Sequence, residues 1–406
     1  MVKEKFPEVI KSPESSRVYF DHNATTPVLR SIIENSSEWL TQWGNPSSIH
    51  WSGRGPKKII REARKKIAQK LNCSPLELIF TSGGSESNNT VIKGVYESFE
   101  QKMRWSPGDE HRNEYITTGV EHPSVRKVFE YLKSKGKTVH FIPVDREGVV
   151  DLQNYQQVLS PRTALVSVMY ANNETGHVFP VKEMARMARE AGALFHTDGV
   201  QALGKTRIDL KEWDVDFASF SGHKFYSLKG CGLIYSKTGN ILHGLIQGGG
   251  QERGRRAGTE NTLAIAALGD AIDHLNDEPL YSAQVQELRN SIESQVLERI
   301  SGVKIIGQGT NRIGNTSNLI IAGVDGETLL MNLDLQGFSV STGAACSSGN
   351  PEPSPVLLAM GFKREEAQSS LRISLGWQNT QGEVNEFVEK LEKVVNKLRS
   401  LKDSNG

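Results

Sequence analysis

Three cysteines in 406 residues are too few for a disulfide framework, and at positions 73, 231 and 346 they form no metal-ligand spacing. Ten histidines are scattered without an HExxH-type pattern or a Cys/His cluster, so no metal site is expected. No apolar run approaches the ~20 residues of a membrane span. Charge is equally short on bias: 48 basic against 47 acidic residues leaves a formal net charge of +1 and no field to draw nucleic acid or an anionic membrane. Met1-Val2-Lys3-Glu4-Lys5-Phe6-Pro7-Glu8 lacks the apolar core of a signal peptide and carries acids that transit peptides avoid. The expectation is a cytoplasmic protein with no membrane or nucleic-acid partner. A hydrophobic content of 37% over this length supports a full core and two domains.

What is present is an alternation of strand and helix. After a polar N-terminal arm of about sixteen residues, strands are predicted over 78–81, 115–118, 138–142, 164–170, 194–197, 217–220 and 232–235. Amphipathic helices are predicted between them over 56–71, 85–98, 123–135 and 181–191. Apolar strands alternating with helices imply an α/β fold with a mostly parallel sheet covered on both faces. After residue 275 long charged helices (about 281–300 and 382–401) bracket short strands near 303–306, 317–321 and 371–375, the texture of a smaller α+β domain. The expected division is a large domain over 17–262 and a small one over 1–16 with 263–406. The basic helix 57–70 is read as a solvated face.

Polar residues bunch just past the carboxyl ends of the strands, where open α/β sheets bind ligands. Lys224, in Ser221-Gly222-His223-Lys224-Phe225, closes an apolar strand, a poor place for a solvated charge. Such a lysine is suited to a lowered pKa and a Schiff base, most often with pyridoxal phosphate. Asp198, in His196-Thr197-Asp198, ends another apolar stretch and is the partner that cofactor's pyridinium nitrogen requires. Thr81-Ser82-Gly83-Gly84-Ser85-Glu86 follows a strand and opens a helix, either a phosphate cradle or an ordinary turn capped by Ser85. His122, in Glu121-His122-Pro123-Ser124, could stack on a ring and exchange protons, or be structural. Asn173, in Ala171-Asn172-Asn173-Glu174, could bond a substrate carboxylate or the cofactor oxygen, or serve an Asx turn. The loop 247–261 combines glycines with Arg253, Arg255 and Arg256 and suits an anion or an intersubunit contact, although taken alone it reads as a mobile surface loop. Arg372 interrupts a β-like run, as a carboxylate ligand or an ion-paired strand edge. Cys346 sits among small polar residues in Ser341-Thr342-Gly343-Ala344-Ala345-Cys346-Ser347-Ser348-Gly349, the setting of a reactive thiol, whereas Cys73 and Cys231 read as structural.

Taken in order, and with Tyr19-Phe20-Asp21-His22-Asn23-Ala24-Thr25-Thr26-Pro27 and Gly44-Asn45-Pro46-Ser47-Ser48 before them, these segments resemble the pyridoxal-phosphate-dependent cysteine desulfurases of the NifS/IscS type, in the class V aminotransferase superfamily. The resemblance runs from about Val18 to Arg399. It implies the fold type I architecture, a homodimer with interfacial sites, L-cysteine as substrate and a sulfur-acceptor protein such as an iron–sulfur scaffold. By the same resemblance Lys224 would hold the cofactor aldehyde, Asp198 its ring nitrogen and Gln201 its ring hydroxyl, with His122 stacked on the ring. Gly84, Ser85, Ser221 and His223 would hold the phosphate, with Thr259 reaching across from the other subunit. Asn173 and Arg372 would bind the substrate carboxylate, and Cys346 would take the sulfur as a persulfide. Three positions depart from the family's usual pattern: Gly199-Val200, Ser85 in place of threonine, and Trp377-Gln378 where a basic residue is frequent. A selenocysteine lyase or another class V enzyme shares most of these features; a non-catalytic scaffold is the remote alternative.

Overall fold

The computed structural model describes residues 7–10, 17–101, 111–275, 283–343 and 352–404. The first part of the chain folds in the order β1 (Val18–Tyr19), α1 (Arg30–Thr41), α2 (Trp51–Lys70), β2 (Leu78–Thr81), α3 (Gly84–Glu100), β3 (Glu114–Thr118), α4 (Pro123–Ser134) and β4 (Thr138–Ile142). It continues through α5 (Leu152–Val158), β5 (Thr163–Ser167), α6 (Val181–Glu190), β6 (Leu194–Asp198), α7 (Leu210–Trp213), β7 (Phe217–Ser221) and β8 (Gly232–Ser236). Then come α8 (Thr262–Asp273), α9 (Ala283–Arg299), β9 (Val303–Ile305), β10 (Thr316–Ile321) and α10 (Gly326–Leu335). The last elements are β11 (Phe338–Ser339), α11 (Pro355–Ala359), α12 (Arg364–Gln368), β12 (Ser370–Ser374) and α13 (Gln381–Ser404).

Strands β2 to β8 form one seven-stranded sheet in the order β2-β8-β7-β6-β5-β3-β4. The run from β7 to β4 is parallel, while β8 is antiparallel to both of its neighbours. Strands β5, β7 and β8 are buried at every residue, without alternation, because helices cover both faces. The predicted strand 164–170 stops pairing regularly at Ser167, yet Val168 and Tyr170 still donate backbone bonds to His196 and Asp198 on β6. Helix α8 was not anticipated. It is apolar nearly all round, so it carries no amphipathic period to read, and it is buried along α2.

A second sheet, β12-β10-β9, is antiparallel. The N-terminal segment joins the two sheets. Strand β1 pairs with β11, His22 N–H donates to Ser374 O, and Thr26 N–H donates to His223 O. At the departure 377–378, Trp377 stacks on Tyr226 and donates to Pro7 O at 3.1 Å, while Gln378 lies 2.6 Å from the buried His22 ring. These two residues fasten the N-terminal segment where a basic side chain would have met a buried site.

Candidate active site

Parallel strands bring their carboxyl ends to one edge, and five of them deliver polar residues there. Asp198 ends β6 opposite Ser219 of β7. Two residues further, Ser221 ends β7 and a short turn, Gly222–Lys224, carries the lysine inward. Lys224 Nζ donates to Asn23 O at 2.5 Å and to Ala24 O at 2.7 Å. Burial lowers its pKa to about 8; the Arg372 guanidinium adds to the effect, and Asp21 and Asp198 oppose it. That value leaves an appreciable fraction of free amine near neutral pH.

Asp198 is held as a carboxylate should be. Asn88, on α3, donates to Oδ2 at 2.7 Å, and the Val200 N–H donates to Oδ1 at 3.0 Å. Gly84 opens α3 against the end of β7: a Cβ there would come 2.7 Å from Val200 Cγ2 and 3.5 Å from Ser221 Cβ. The N-cap is Gly83, which supplies no side chain, so the first-turn N–H groups of this 17-residue helix are not capped by one. Ser85 is exposed at that end. Arg256 clasps Glu86 in the same turn through two bonds of 2.9 and 3.3 Å, which ties the loop bearing Thr259 to it. Thr259 itself stands exposed, and no contact joins it to Lys224 among the described residues.

His122 caps α4: its Nδ1 accepts from Ser124 N–H at 3.2 Å and lies 2.8 Å from Ser124 Oγ. The proton of its neutral form therefore sits on Nε2. The ring is exposed toward the cleft, but the protein around it lowers its pKa by desolvation, against the attraction of Asp198. Ser221 is buried beside Gly83, and His223 Nδ1 lies 3.2 Å from Thr25 Oγ1 with its pKa pushed down to about 4, chiefly by burial.

Arg372, on β12, is the point where the second sheet enters. Its Nη2 pairs with Asp21 at 2.7 Å, Nη1 donates to Asn173 O at 3.2 Å, and Nε is buried without a hydrogen-bond partner among the described residues. The ion-paired reading of Arg372 describes its observed contacts. Gln201 is buried, donating to Asn23 O at 3.0 Å. Cys346 lies outside the described residues. The other two thiols are inert by environment: burial pushes both Cys73 and Cys231 up to about 12.

Several participants escaped the sequence reading. Asp21 and Asn23 lie in a quoted motif without an assigned task, Asn88 is one turn beyond the Gly84 turn, and Lys205 follows Gln201 by one helical turn's spacing. Glu121 is the most consequential for stability. It is buried, takes the Met169 N–H on its oxygens at 3.0 and 3.1 Å, and accepts from Thr118 Oγ1 at 2.7 Å. Desolvation raises its pKa from 4.5 to about 8 despite those bonds, with Asp198 contributing. Between those values the folded chain holds a proton that the unfolded chain has lost. The corresponding stability is complete below the unfolded value and is lost as pH rises through about 8. Glu121→Gln, measured by urea unfolding, should therefore gain on the parent between about pH 5 and pH 9, by on the order of 2 kcal/mol; a constant difference would contradict the assignment.

The aminotransferase class-V family profile matches residues 18–387, and the chain belongs to that family. Within it the chain is similar to cysteine desulfurases. The chain is 41% identical over 386 residues to the cysteine desulfurase IscS of Dictyoglomus turgidum, covering 95% of this chain and 96% of that one. It is 39% identical over 387 residues to the cysteine desulfurase NifS of Azotobacter vinelandii, covering 95% and 94%. The solved structure of a NifS-like protein superposes with a TM-score of 0.85 at 37% identity, over 94% of this chain and 99% of that one. The family's cofactor is pyridoxal phosphate, and the residues here fit it. A buried amine of lowered pKa, a buried carboxylate at the next strand end and a helix start without a side-chain cap occupy one edge of the sheet.

Proposed function

We infer that the protein is a pyridoxal-phosphate-dependent cysteine desulfurase in which Cys346 receives the sulfur. The observation that carries this reading is the buried Lys224 amine lying in the field of both Arg372 and Asp198, in a chain that aligns over 95% of its length with a desulfurase. Lys224 would hold the cofactor, with Asp198 at its ring nitrogen, His122 on its face, Gln201 at its ring oxygen, and Gly84, Ser85, Ser221 and His223 around its phosphate. Bound there, pyridoxal phosphate supplies the electron sink for loss of the substrate α-proton.

The chain's own residues supply the remainder. Arg372 and the Asn173 amide would take the carboxylate of L-cysteine and fix the α-carbon over Lys224. The Lys224 amine, with a pKa near 8, removes the α-proton and can return it. The Cys346 thiolate attacks the substrate sulfur, the carbon–sulfur bond breaks and a sulfur–sulfur bond forms. Protons return from Lys224 or from His122 Nε2 to complete alanine. The balance is L-cysteine plus a thiol giving L-alanine plus a Cys346 persulfide, with no external oxidant. Equimolar alanine and transferable sulfur from L-cysteine would support this reading, and alanine without bound sulfur would remove it.

The sulfur is passed to a protein acceptor, for which an iron–sulfur scaffold is the proposal. Cys73 and Cys231 are free thiols, which suits a reducing cytoplasm. No helix among the described residues is long and apolar enough to cross a membrane. The domain division at residue 262 is likewise proposed. A homodimer is supported by an exposed apolar group on and before α2: Ile49 is 96% exposed, Trp43 76% and Trp51 73%. Ile49→Asp should halve the mass seen by analytical ultracentrifugation and, with Thr259 withdrawn, weaken cofactor binding about tenfold. An unchanged dimer would place the interface elsewhere.

A further inference from the structure

Lys205 has no part in the site as described so far. It lies in Gln201-Ala202-Leu203-Gly204-Lys205 and is only 3% exposed. Its Nζ donates to Asn23 Oδ1 at 2.7 Å and also to Gln201 Oε1. Burying a lysine is costly, and such a group is kept where its hydrogen bonds fix something.

Here they fix two amides. A lysine amine offers N–H donors, and both neighbouring amides present oxygen to it. The Gln201 oxygen is turned to Lys205, which sends its –NH2 the other way, to Asn23 O at 3.0 Å and the side of Lys224. Asn23 is oriented by the same contact together with Asn315 Nδ2, which donates to the same oxygen at 3.2 Å. Its Oδ1 faces Lys205, so its Nδ2 donates to Asn173 O at 3.0 Å and Thr316 Oγ1 at 2.8 Å. Its backbone oxygen takes Lys224 at 2.5 Å. One amine thus fixes the Gln201 amide and helps to fix that of Asn23, both beside Lys224.

We propose that Lys205 is a positioning residue that holds the Gln201 amide with its N–H donors toward the cofactor's ring oxygen, and thereby sets the proton affinity at the Lys224–cofactor linkage. The proposal rests on the reading of the site given above. A donor at the ring oxygen stabilises its anionic form and lowers that proton affinity; a carbonyl turned the same way would raise it. Charged groups facing Lys205 are Lys224, Arg372 and Asp21, with the buried His22 ring and the His223 ring also within its field. Burial, then Lys224 and Arg372, press Lys205 well below its usual range, while Asp21 opposes.

The test is a pH titration of the visible cofactor band in protein reconstituted with pyridoxal phosphate. Lys205→Met should move the midpoint up by about one unit, a tenfold change in proton affinity. Lys205→Gln, which keeps a donor of shorter reach, should fall between, and it also serves if the methionine variant does not fold. In a Gln201→Leu background the Lys205→Met shift should largely vanish, because the effect passes through the amide. A shift of full size in that background means bare charge and overturns the orientation argument. An unmoved midpoint in a variant that merely melts earlier leaves Lys205 structural and also overturns it. If the parent protein forms no visible band, the failure lies with the cofactor reading itself.

Discussion

Lys224→Ala is expected to lower L-cysteine turnover by roughly 10²–10⁴-fold, the span attributable to one positioned proton carrier. Pyridoxal phosphate should still be drawn to the cleft by Asp198 and the α3 start, but gel filtration should strip it, because the covalent anchor is gone. The diagnostic measurement is wash-out of the cysteine α-proton in deuterated water. It should disappear in Lys224→Ala and return in part with added methylamine, a small base able to enter the space vacated. Retention of wash-out without rescue would move the base role to His122, whose Nε2–H is the other mobile proton at this edge.

Cys346→Ala should act at a different point. Sulfur transfer should fall about 10²-fold or more, a barrier increase of roughly 2.7 kcal/mol, while α-proton wash-out continues. Mass spectrometry of the parent after exposure to cysteine should find one added sulfur on the peptide carrying Cys346, and none on the peptides carrying Cys73 or Cys231. Their thiols are held near a pKa of 12 by burial and carry almost no thiolate at neutral pH. Sulfur on either of those peptides would contradict the assignment. The two variants separate the halves of the reaction: one loses carbon–hydrogen cleavage, the other loses only the acceptor.

Much of this was legible in the sequence because the local signals are strong. Strands β2 and β4 lie where the apolar runs predict, and Lys224 and Asp198 stand at strand ends where a solvated charge is poorly placed, while His122, open to a structural reading from sequence, caps α4. Four positions were less visible, for a common reason. Asp21, Asn23 and Asn88 act through partners between 110 and 351 residues away, and Lys205 acts on Asn23, 182 residues away, as well as on nearby Gln201; no periodicity reports the distant pairings. Helix α8 was hidden by its own burial, since a helix apolar all round has no stripe to detect. Arg372 shows the limit from the other side: the choice between ion pair and carboxylate ligand was framed from sequence, yet only the geometry shows one guanidinium supplying both an engaged and a spare donor.

The stitching of residues 21–23 to β12 bears on the life of the chain before it is an enzyme. His22 and Asn23 bond to Ser374, and Asp21 to Arg372, whereas Lys224 takes its backbone acceptors from Asn23 and Ala24. A ribosome releases the N-terminal strand first and β12 nearly last, so the contacts with Ser374 and Arg372 close only when almost all of the chain has been made. Until then Gln201 and Lys205 are among the contacts available to Asn23, and a product cut before β12 is expected to hold the lysine's backbone acceptors less firmly.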